Sequence, residues 1–98
     1  MMPIEEANDI IVNQRSATKN EVLFALGTIM ESQRPLVGYD PRLFLTYLDW
    51  GGSWSSFAAR CLYLLTARDG ITTQAAPEGI EFITDRSSWE DYLTKKGL

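Results

Sequence analysis

The sequence predicts a small α+β domain, mainly helical, with one β-hairpin near its C-terminal end. Apolar residues recur at helical spacing through most of the chain, residues that favour helix N-caps stand directly ahead of those stretches, and two β-favouring runs flank Pro77-Glu78-Gly79. With 98 residues, 45% apolar, the chain suits one domain over 1–98. A chain of this length buries only about 60–65% of its unfolded surface, so core is the default role of its aromatic residues.

Pro3 precedes Ile4, Ala7, Ile10 and Ile11, whose spacing predicts a helix over 4–14, with Glu5, Glu6 and Asp9 near its positive end. The run Ile10-Ile11-Val12 leaves a strand open, so residues 1–15 are read as an N-terminal helix or as an arm reaching a partner subunit. Thr18 and Glu21 have capping-box spacing and announce a helix over 19–33. Val22, Leu23, Leu26, Ile29 and Met30 form its apolar face, and Pro35 stops it.

Residues 36–39 read as a brief strand. Asp40-Pro41 then pairs a favoured N-cap with the residue best suited to the first helical position, and Leu43, Phe44, Tyr47 and Leu48 face inward up to Gly51-Gly52. Ser53 is read as the cap of the next helix, over 54–68. There Trp54, Phe57, Ala58, Cys61, Leu62 and Leu65 make an inward stripe, closed by Gly70. Residues 71–76 and 80–84 form the predicted hairpin around Pro77-Glu78-Gly79. Ser87 and Glu90 supply a second capping box for a C-terminal helix over 87–97 that carries Trp89, Tyr92 and Leu93.

The stretch Leu64-Leu65-Thr66-Ala67-Arg68-Asp69-Gly70-Ile71 resembles the end of a winged-helix recognition helix running into its first wing strand. The order of elements over residues 18–84 resembles a winged helix-turn-helix domain, so the α+β fold is expected to be winged-helix-like. The resemblance implies DNA binding through the outward face of the helix at 54–68, where Ser55, Ser56, Ala59, Arg60 and Tyr63 lie opposite the apolar stripe. It also implies phosphate contacts from the wing. Residues 71–84, however, hold no Lys or Arg and carry Glu78 and Glu81, and the chain as a whole has a net charge of −4. Carboxylates aimed at a phosphate backbone oppose the term that supplies most non-specific affinity.

Composition narrows the chemistry further. With no His and one Cys there is no ordinary nucleophile–base pair and no zinc-ligand set, and no cofactor motif is present. Cys61 falls inside an apolar stripe and is read as an inert, buried thiol. Glu5, Glu6 and Asp9, like Glu90 and Asp91, are assigned to first helical turns, where the helix dipole accounts for them. The acidic N-terminus lacks the form of a secretory signal, and no run approaches the ~18 apolar residues of a membrane span, so a cytoplasmic protein is expected.

Tyr47, Trp50, Trp54, Phe57 and Tyr63 crowd around Gly51-Gly52. Trp50 lies at a helix end and Tyr63 off the stripe; exposed beside Arg60, they have the composition of an interface hot spot. The expectation is a non-enzymatic regulatory adaptor or inhibitor that binds a protein partner through Trp50, Arg60 and Tyr63, with homodimerisation compatible. Such a compact regulator would suit a bacterium, a phage or a mobile element. The alternative is a DNA-binding transcriptional regulator using Ser55, Ser56, Arg60 and Tyr63.

Overall fold

The structure, a computed structural model, describes residues 2–32, 39–66 and 79–97. Within them run α1 (Ile4–Ile11), α2 (Lys19–Glu31), a 3-10 turn (Pro41–Phe44) continuing into α3 (Leu45–Leu48), α4 (Gly52–Thr66), a second 3-10 turn (Ile80–Phe82) and α5 (Arg86–Lys95). Among the described residues 73% are helical and none forms a strand. The expected α+β class is therefore corrected to all-α.

The hairpin is where that expectation fails. Gly79 takes a left-handed φ of 76°, and the amides of Phe82 and Ile83 donate back to the carbonyls of Gly79 and Ile80, each at 3.0 Å. These bonds close a 3-10 turn instead of a ladder, and Ile80, 2% exposed, is buried against α4. The first hairpin strand at 71–76, Glu78, most of the brief strand at 36–39, and the Gly70 stop lie outside the described residues.

The start signals fare better. Thr18 Oγ1 accepts from the Glu21 amide at 3.2 Å and Glu21 Oε1 from the Thr18 amide at 3.0 Å, so the capping box forms as the spacing predicts. Asp40 accepts from the Arg42 amide at 3.0 Å ahead of Pro41. Residues 4–11 form a helix packed on α2 through Ala7, Ile10 and Ile11. α1 ends earlier than expected because Gln14 turns left-handed, at φ 58°, and its side-chain amide donates to the Ile11 carbonyl at 2.8 Å.

Caps at α4 and α5 differ from the reading. Gly51 and Gly52 are both left-handed (φ 77° and 55°), a pair of conformations costly for any residue with a Cβ, and α4 starts at Gly52, one residue before Ser53. Ser55, not Ser53, braces the turn: its Oγ accepts from the Gly51 amide at 2.8 Å and donates to the Leu48 carbonyl. At α5 the cap is Asp85, which accepts from the Ser88 amide at 3.1 Å and from the hydroxyls of Ser87 and Ser88, each at 2.8 Å. Glu90 and Asp91 thus sit beyond the first turn and pair at i,i+4 spacing, Glu90 with Arg86 and Asp91 with Lys95.

α4 is the hub, packing against α2, α3 and both 3-10 turns, while α1 covers α2 and α5 covers α3. Its buried set includes Ser55 and Ala59 as well as Ala58, Cys61 and Leu62, so its inward face is broader than the predicted stripe. Among the described residues no helix is long and apolar enough to cross a membrane.

A candidate docking groove along α4

Phe57 leaves the centre of α4 towards α2 at Gly27, where a Cβ would stand 3.3 Å from a Phe57 ring carbon. A glycine here lets the ring lie close on the α2 backbone. Beyond the ring the surface opens into a groove of about 500 Å³ lined by Met30 of α2, Ser56, Phe57 and Arg60 of α4, and Phe82 and Thr84 of the second 3-10 turn and the residues after it. That volume lies within the ~300–1,000 Å³ of ordinary ligand sites.

Phe82 is the most exposed large apolar side chain among the described residues, at 78%. The turn fixes why: Ile80 goes into the core, and two residues on Phe82 projects outward. Arg60 lies at the polar margin with its guanidinium 5.3 Å from the Tyr63 ring centre, one helical turn along α4. It pairs with no carboxylate among the described residues. A guanidinium resting on an aromatic ring can still offer N–H groups to a carboxylate, which it can grip in bidentate fashion.

The predicted partner-binding residues do not form one site. Arg60 and Tyr63 stay together beside the groove, Tyr63 half-buried against the core. Trp50 belongs elsewhere: its ring meets Tyr47 edge-on at 5.0 Å and Trp54 at 6.5 Å, and Lys19 Nζ lies 5.5 Å from its centre. Trp54 Nε1 donates to the Lys19 carbonyl at 2.9 Å, so this cluster clasps the α3–α4 turn to the start of α2.

The residues proposed for DNA are divided as well. Ser55 is 4% exposed and its hydroxyl is committed to Gly51 and Leu48, which corrects its placement on the outward face. Ala59 is fully buried. Arg60 is then the sole cation of α4, with Ser56 and Tyr63 beside it. The objection drawn from an acidic wing falls with the hairpin; the scarcity of cations on α4 replaces it.

Met30, Phe82 and Thr84 were missed as site residues, and Phe57 was read only as core. The β-favouring run over 80–84 predicts a strand for Phe82, where alternation would give it an ordinary face. The signal that could have found it is Gly79 directly before Ile80-Glu81-Phe82, a left-handed start to a turn in which Ile80 goes inward and Phe82 outward. Among the described residues no cluster of His, Cys, Asp or Glu is arranged to hold a metal ion. No family model, curated protein or solved structure matches this chain.

Proposed function

We propose that the chain acts without catalysis, as an adaptor or inhibitor that binds a protein partner along the groove between α2, α4 and the second 3-10 turn. One observation carries this reading: Phe82, 78% exposed, stands at an open cavity that Met30 and Phe57 line with further apolar surface. A projecting aromatic beside an apolar cleft gains by burial against a second surface, at about 25 cal/mol per Å² removed from water. Arg60 and Tyr63 at the margin supply side chains enriched in interface hot spots.

The test is a photo-crosslinking residue at position 82, compared with one at position 50, in cells of the source organism. The expected result is a discrete protein adduct from position 82, lost when Arg60→Glu is added, and none from position 50. A nucleic-acid adduct from position 82, or adducts of equal yield from both positions, would overturn it.

A further inference from the structure

Resting on that reading, we infer that the groove takes an amphipathic helical segment of its partner carrying a carboxylate beside its apolar anchors, with that carboxylate gripped by Arg60. The lining is divided in a way that specifies such an occupant. Met30, Phe57 and Phe82 offer an apolar bed, whereas Ser56 and Thr84 add hydroxyls and Arg60 a cation without an ion-pair partner among the described residues. The Ser56 hydroxyl already donates to the Gly52 carbonyl at 3.4 Å, so Arg60 and the Thr84 hydroxyl are the donors; a single positive charge next to an apolar surface selects an anion attached to a hydrophobe.

The cation–π contact holds the Arg60 guanidinium against Tyr63, 5.3 Å from its ring centre, so less side-chain freedom is lost when its N–H edge meets a carboxylate. A helix suits the remaining space because anchors at i, i+3 or i+4, and i+7 form one apolar face. Phe82 rises above the cleft, so a small molecule filling the cavity would leave much of its ring in water, whereas a helix laid across it covers both.

Local and global electrostatics predict opposite preferences here. The chain has a net charge of −4, so non-specific attraction favours basic peptides. Recognition through Arg60 favours acidic ones. Selection from a displayed library of amphipathic helical peptides, with charge randomised beside fixed apolar anchors, separates the two.

On the wild-type protein the selected peptides are expected to be enriched in Glu or Asp beside the anchors, each binding about tenfold more tightly than its Lys counterpart, in line with the strength of charge-assisted hydrogen bonds. Arg60→Glu should invert the preference, and Phe82→Ala should weaken every selected peptide; both positions are exposed, so thermal unfolding should scarcely move. Apolar peptides selected without charge preference, yet lost with Phe82→Ala, would overturn the carboxylate grip and leave the groove as a docking surface. Basic peptides, or binding insensitive to Phe82→Ala, would overturn both. Dodecanoate binding that depends on Arg60, with no peptide enriched, would assign the groove to a small anionic amphiphile instead.

Discussion

Cys61 is fully buried between α4 and α2, its thiol donating to the Leu26 carbonyl at 3.5 Å, and burial pushes its pKa up to about 12. The folded state therefore holds the proton over a range where the unfolded chain, with a thiol near pKa ~8.5, releases it. Stability is unaffected below that value and falls as pH rises from there towards 12. Urea midpoints measured between pH 7 and 10 should show this loss, and Cys61→Ala should remove most of it; the phenols of Tyr39 and Tyr47, also raised by burial, add their share only above their ordinary range. Iodoacetamide should modify Cys61 at the rate of unfolding. Trp50→Ala and Phe82→Ala make a second contrast at this scale. Trp50 gives up its edge-on contact with Tyr47 and should cost about 1–2 kcal/mol. Phe82 projects into water and should cost less than about 0.5 kcal/mol in chemical denaturation.

Caps set the elements, and they titrate. Hydrogen bonds from the Thr18 amide and hydroxyl hold the Glu21 carboxyl below its ordinary range, and those from Ser87 and Ser88 do the same for Asp85. Between the folded and unfolded pKa values the unfolded chain binds more protons, so stability rises with pH there. The contribution is complete above the usual carboxylate range, near pH ~4, and is lost as pH falls through the lower folded values. Thr18→Ala should cost about 1 kcal/mol at neutral pH, Asp85→Ala should also destabilise, and each should flatten the acid limb of a pH series of thermal melts. Two of these starts were legible because a cap is a local event: Thr18 with Glu21, and Asp40 with Pro41, are complete within a few residues. Spacing alone puts the start of α5 one or two residues late because Asp85 and Ser87 are both good caps; in the fold Asp85 collects the Ser88 amide and two hydroxyls, and Trp89 Nε1 donates to the Ile83 carbonyl at 2.6 Å, a contact no spacing encodes. The run at 80–84 misled for a related reason. Its Ile, Phe and Thr favour strands where they find a pleated partner, and against α4 only Ile80 finds a buried place, in a turn.

Across the whole molecule, α4 lies at the centre, with α2 against it, α3 and the 3-10 turns around it, and α1 and α5 outermost. That placement turns Ser55 and Ala59 inward, leaves α4 with Arg60 as its one cation, and opens the groove where α2 and the second turn diverge from Phe57. The inward stripe was largely readable from periodicity, as was Cys61 within it. The groove was not, because Met30, Phe57 and Phe82 come from separate elements whose meeting depends on packing at Gly27 and on the turn begun by Gly79. Trp50, singled out for its composition, proved to be part of a clasp on Lys19. Backbone amide chemical shifts followed during titration with a selected Glu-bearing helical peptide test the central claim most directly. Perturbations should gather at Met30, Ser56, Phe57, Arg60, Phe82 and Thr84 while the Trp50 and Trp54 indoles stay unmoved. Shifts centred on those indoles, with the groove silent, would contradict it.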